Sequence, residues 1–151
     1  MKKIFILTLL FIVGTFTFAM SNSAKVTVRA TIVSEELVVG GKNDKPLILD
    51  FGKNNKDGKL DFTLKYSGVE NVDSSSKVIL DINTPNVQLI NENNGATLGS
   101  NVIIDKKVQN LLSNNAEINS SIYGKLNNLN SKTANGLYTG IVELNITVIP
   151  M

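Results

Sequence analysis

The sequence predicts an all-β chain folded as an antiparallel β-sandwich. Three observations carry this prediction. Short segments of alternating apolar and polar residues recur at regular spacing, Gly-, Asn- and Pro-rich turns separate them, and helix-like periodicity is almost lacking. Many short strands punctuated by such turns are typical of sandwiches, whereas strands alternating with helices indicate a parallel sheet.

The N-terminal segment has the plan of a secretory signal peptide. Residues 1–3 are Met-Lys-Lys, and residues 4–18 form an apolar run. This run is about 15 residues long, whereas a helix needs roughly 20 to span a bilayer. Small residues near Ala19 and Ser23 suit a signal peptidase, so we expect a signal peptide over residues 1–23, cleaved after residue 19 or 23. An uncleaved membrane anchor is the alternative.

The composition argues against several classes of function. The chain has 15 Lys and Arg and 13 Asp and Glu, and two of the lysines lie in the predicted leader. The remainder is neutral, which favours neither nucleic acid nor an anionic membrane as a partner. The sequence contains no His and no Cys, which removes the usual general base, the commonest transition-metal ligands and any disulfide. We therefore expect no enzyme activity, no catalytic residues, no metal site and no cofactor.

The first predicted strand, Lys25 to Val33, alternates from its first residue. One face carries Val26, Val28, Ala30 and Ile32, and the other is polar. Because the strand begins the predicted exported chain, it can pair within its own domain or be supplied to another one. We expect it to be supplied to another domain. Ordinary pairing within its own domain is the alternative.

The middle of the chain predicts further strands, bounded by turn residues. They are Leu37–Val39, Leu47–Phe51, Leu60–Tyr66, Lys77–Ile82, Val87–Ile90 and Val102–Ile104. The Asn-rich stretch Lys106 to Asn130 is the least β-like. Val108, Leu111, Leu112 and Ala116 have a spacing that a short helix could use. We expect a surface excursion there, with one short helix or an irregular strand.

The chain closes with its clearest strand, which begins at Gly136 and ends before Pro150, a residue that cannot donate to a ladder. At about 3.3 Å per residue, its length is on the order of 40 Å. One face carries Tyr138, Gly140, Val142, Leu144, Ile146 and Val148.

Three segments, in order, resemble the major pilins of colonisation factor antigen fimbriae, which are alpha-type chaperone–usher pili. Residues 25–33 resemble the start of those mature pilins. Residues 77–89, with a Thr-Pro, are similar to their central strand and turn, and residues 136–148 to their closing strand. Most of the specificity lies in the Gly-x-Tyr-x-Gly-x-Val pattern that begins at Gly136. The chain departs from the family by its Pro-Met ending and by its Asn-rich segment 110–130.

The resemblance implies a fold and a function. The domain, residues 35–151, would be an immunoglobulin-like sandwich that lacks its final strand, and residues 24–34 would be an N-terminal donor-strand extension. Val26, Val28, Ala30 and Ile32 would fill the groove of a neighbouring subunit. The residues implied as its acceptor wall are Tyr138, Gly140, Val142, Leu144, Ile146 and Val148.

The resemblance also implies partners and a location. The partners would be identical or related pilin subunits, a periplasmic chaperone and an outer-membrane usher. A tip adhesin is a further candidate partner. The protein would be exported through the periplasm to a surface fibre (fimbrium) that serves bacterial adhesion. The alternative function is a monomeric, secreted β-sandwich binding module of lectin-like or inhibitor type. The pairing of the first strand would distinguish the two.

Overall fold

The computed structural model describes residues 21–32, 37–41, 46–66, 76–111 and 117–149. Every regular element in these ranges is a β-strand, which confirms the all-β prediction. Most of the predicted leader and the end of the predicted donor extension lie outside the described residues. The ten strands are β1 Asn22–Ile32, β2 Leu37–Gly41, β3 Ile48–Lys53, β4 Asp57–Tyr66, β5 Lys77–Ile82, β6 Asn86–Asn91, β7 Thr97–Ile104, β8 Val108–Asn110, β9 Glu117–Leu126 and β10 Gly136–Ile149.

The strands form one curled sheet with the order β2-β4-β9-β7-β6-β10-β1-β3. β5 branches from the second half of β10, and β8 pairs with β5. All ladders are antiparallel except β1 with β10, which is parallel. The curl brings Leu49 and Phe51 of β3 against Gly58 and Gly124, which lie on β4 and β9. This arrangement is compatible with a β-sandwich around one core.

Alternation along the strands builds that core, because successive side chains of a strand point to opposite faces. β6 shows it most simply, since burial and exposure alternate at every residue. Side chains from both ends of the chain meet in the same interior. The largest that are almost completely buried are Tyr138, Phe51, Phe62, Leu49, Leu64, Leu80, Leu89, Leu111, Ile122, Leu144, Ile146 and Val26.

The prediction for the Asn-rich stretch was wrong. β9 is a regular ten-residue strand in the interior of the sheet, where it pairs with β4 and β7. Its buried face includes Ser120 and Gly124 beside Ile118, Ile122 and Leu126. These two small residues interrupt the apolar alternation that announces a half-buried strand. Most of the residues with helix-like spacing lie instead in β8 or outside the described residues.

Long strand β10 changes partners along its length. Near its start, Tyr138 and Thr139 pair with β6, whereas Leu144 to Ile149 pair with β5. β1 follows its other edge from Gly136 to Ile146. β10 therefore holds both parts of the curled sheet together, and β1 is the strand that covers its remaining edge.

Candidate functional site

The candidate site is the space between β10 and β3, which we call the β1 groove. In this chain β1 itself occupies it. β1 pairs in parallel with β10 from Asn22 to Ile32, and antiparallel with β3 from Ser23 to Thr27. The predicted N-terminal strand thus lies within its own sheet.

The structure brings the predicted donor face and the predicted acceptor wall together, one residue against one. Val26 lies opposite Gly140, and Val28 opposite Val142. Ala30 and Ile32 face Leu144 and Ile146 in the same register. The register is that of a single chain, so the supply of β1 to another subunit stays a prediction.

Burial along β1 follows the predicted alternation. Val26 is fully buried and Val28 is 5% exposed, whereas Ala30 is partly buried against the core. The side chain of Ile32 lies outside the described residues. On β10, Val148 is only partly buried and lies beyond the last position that β1 pairs.

Sequence reasoning missed the first part of this face. Ala24 and Asn22 are buried on the same side as Val26, but both precede the predicted strand, and Asn22 falls within the predicted leader. The period-two spacing of Ala24 before Val26 is the available signal. This signal is weak, because Ala24 is small and lies beside the predicted cleavage site.

The start of β1 is held by its backbone on both sides. The amide of Asn22 donates to Asn54 Oδ1 at 2.9 Å, and the amide of Asn54 donates to the Asn22 carbonyl at 2.7 Å. Ser21 bonds the other side, where its carbonyl accepts from the Gly136 amide. By contrast, the β3 ladder ends at Thr27, apart from one bond from the Val28 amide to the Leu47 carbonyl. Beyond Val28, β1 pairs with β10 alone.

The three specified residues of the Gly-x-Tyr-x-Gly pattern in β10 each have a structural role. Gly136 adopts a φ of 141°, where a side chain is strained, and a Cβ there would meet Asn91. Gly140 lies so close to Leu89 that a Cβ would sit 2.5 Å from Leu89 Cδ2. Tyr138 is 1% exposed, and its hydroxyl donates to the Ala134 carbonyl at 2.8 Å. The pattern therefore fixes the chain where β10 enters the core.

We expect Tyr138→Phe to lower the free energy of unfolding by about 0.5–1.5 kcal/mol, because it removes the hydroxyl that satisfies the Ala134 carbonyl. Denaturant titration followed by circular dichroism measures this loss. Tyr123→Phe is the matched control, since Tyr123 is 38% exposed on the outer face. Equal losses in both variants would contradict the role assigned to the Tyr138 hydroxyl.

A second surface feature lies on the outer face of β4, β9 and β7. Tyr123 lies beside Ile103, and the ammonium of Lys59 is 5.9 Å from the centre of the Tyr123 ring. A hydrogen bond to Asp61, 2.9 Å away, and the charge of that carboxylate raise the pKa of Lys59. Asn101 and other polar side chains border this patch, so it joins an apolar surface to hydrogen-bonding groups.

The described residues contain no group of three or more acidic side chains arranged to hold a metal ion. Nor do they contain a helix long and apolar enough to cross a membrane. Comparison of the sequence with models of known protein families, and with curated proteins, returns no match.

Proposed function

We propose that this chain is a fimbrial subunit that polymerises when the β1 strand of one copy fills the β1 groove of the next. The observation that carries the proposal is the matched apolar register of the first and last described strands, Val26 to Gly140 and Val28 to Val142. The resemblance of both strands to those of chaperone–usher pilins supports it.

The position of β1 at one end of the described chain makes exchange topologically simple. Withdrawing β1 requires no other strand to unthread, and it leaves one edge of β10 open and β3 without its partner. An open apolar edge of this kind is a template for an incoming strand. Strand addition at such an edge is an established recognition mode, and complexes between chaperones and pilins use it.

Two features make β1 easier to withdraw from its own sheet. Parallel pairing is slightly less stable per residue than antiparallel pairing, and β1 is parallel to β10. In addition, residues 29–32 have a ladder on one side only. Exchange of an identical element between copies costs little, because the same contacts re-form between chains. Since such head-to-tail contacts do not close on themselves, the product is an open filament.

Before assembly, the subunit would need another protein to cover its open groove. We propose that a periplasmic chaperone supplies a strand to the groove, that an outer-membrane usher directs the exchange, and that the fibre serves adhesion at the cell surface. In this proposal the leader is removed after residue 19. Cleavage after residue 23 would delete Asn22 and its backbone bonds to Asn54.

The decisive experiment compares the exported chain with a version that lacks residues 24–33, each with and without a synthetic peptide of that segment. We expect the shortened chain to be unstable alone and to be rescued by the peptide, because the peptide restores the partner of β10 and β3. Size-exclusion chromatography and thermal unfolding by circular dichroism measure this. The full chain should form polymers. A full chain that stays a stable monomer and ignores the peptide would contradict the proposal.

The second candidate is a monomeric, secreted binding module. The pairing of β1 within its own sheet favours it, and the Tyr123 patch offers it a binding surface. An aromatic ring among amide and charged groups suits a ligand with both apolar and hydroxyl faces, such as a sugar. A Tyr123→Ala change that abolished binding to a glycan array, in a chain that never polymerises, would select this function.

A further inference from the structure

Asn22 is an anomaly in the buried face of β1. The other described side chains of this face are apolar, from Ala24 to Ala30, whereas Asn22 ends in an amide and is only 3% exposed. Neither its Oδ1 nor its Nδ2 has a protein hydrogen-bond partner. Among the described buried side chains, Asn22 alone has two atoms in that state.

The surroundings of Asn22 show that the fold can satisfy a buried amide at this end of the sheet. Asn91 is 1% exposed, and its Nδ2 donates to the Asn135 carbonyl at 3.1 Å. Its Oδ1 accepts from the Asn93 amide at 2.9 Å. Two buried asparagines at the same end of the sheet therefore differ in kind: the Asn91 side chain is bonded through both its oxygen and its nitrogen, and that of Asn22 through neither.

An unpartnered buried polar group raises the free energy of the state that buries it, because the group loses water without gaining a replacement. When β1 leaves the groove, the Asn22 amide regains water. The penalty therefore applies while β1 fills a groove and disappears when the groove opens, so it lowers the free-energy cost of opening. Asn91 acts in the opposite direction, since it stabilises the turn against which Gly136 of β10 lies.

We infer that Asn22 is a built-in weak point that keeps β1 exchangeable, so that the closed chain opens its own groove. The inference concerns the opening of β1 in a single chain, and its biological meaning rests on the proposed function. An apolar residue of similar shape would hold β1 in its own groove and suppress exchange.

The test measures opening directly, by hydrogen–deuterium exchange of the β1 amides, in protein purified from cells that express the full chain. Asn22→Leu keeps the branched shape and removes both unpartnered atoms. We expect exchange in β1 to slow on the order of tenfold, since replacing an unsatisfied polar group removes its desolvation penalty. Uptake of a labelled peptide of residues 24–33 should slow by a similar factor.

Asn91→Leu is the matched control, because the same change at a bonded amide strands the Asn93 amide and the Asn135 carbonyl. It should speed exchange. Asn22→Ala serves as the second variant if leucine does not fit. Unchanged or faster β1 exchange in the folded Asn22 variant would overturn the inference. If β1 exchange slows as expected but the wild-type chain never polymerises, the weak point stands and the fimbrial function fails.

Discussion

Under the proposed fimbrial function, Val28→Asp is expected to abolish polymerisation while leaving the proposed chaperone-bound subunit intact. Val28 is 5% exposed and lies opposite Val142. A carboxylate at this place would have to enter the apolar groove without a partner, which costs several kcal/mol. This free-energy cost applies to any groove that receives the strand, whether in the same chain or in the next copy. A chaperone that fills the groove with its own strand leaves residue 28 outside, so that complex survives.

The measurement is co-expression with the proposed chaperone and usher, followed by electron microscopy of any fibres and chromatography of the subunit–chaperone complex. Thr27→Asp is the matched control. Thr27 is the adjacent residue, exposed on the outer face, so the same carboxylate stays in water and fibres should form. Normal fibres from the Val28 variant would exclude β1 as the exchanged strand.

The second large effect is expected from Gly124→Ala in β9. A Cβ at this position would lie 2.5 Å from Phe51 Cζ and 2.6 Å from Leu49 Cδ2. Both side chains are almost completely buried, so either they must shift within the core or the strands must separate. Overpacking of this kind typically costs about 1–3 kcal/mol, which for a domain of this size lowers the midpoint of thermal unfolding by roughly 3–12 °C.

Gly99→Ala provides the comparison, since a Cβ there meets nothing closer than 3.5 Å. Alanine in a strand is no worse than glycine where space allows, so this variant should be neutral or slightly stabilised. Thermal unfolding by circular dichroism separates the two. Equal midpoints for both alanine variants would show that β3 does not pack over β9 as described.

Sequence patterning predicted the elements whose inward residues are uniformly apolar. The alternation of Val26, Val28 and Ala30 indicated β1 and its buried face, and the same signal indicated β10. It could not say which strand lies beside which, because alternation specifies a face and leaves the partner open. The parallel pairing of β1 with β10 was for this reason beyond the reach of the sequence.

β9 shows why some strands were not predicted from the sequence. Its interior position needs Gly124 so that Phe51 can lie across it, and Ser120 adds a second polar or small residue to the inward face. The contact with Phe51 that requires a glycine at position 124 also weakens the local strand signal there. Asn22 is a similar case, because its significance depends on neighbours that are remote in sequence.

The parallel register of β1 and β10 also determines how the closed chain would respond to a stretching force. Ser21 precedes β1 at the end of the sheet where β10 begins, and Ile149 ends β10 at the opposite end. Tension applied between these two residues would drag the strands past each other along their length. The hydrogen bonds between them would then be loaded together, in shear, instead of one after another as in an unzipping hairpin. The parallel pairing of β1 with β10 thus resists a force along the strands.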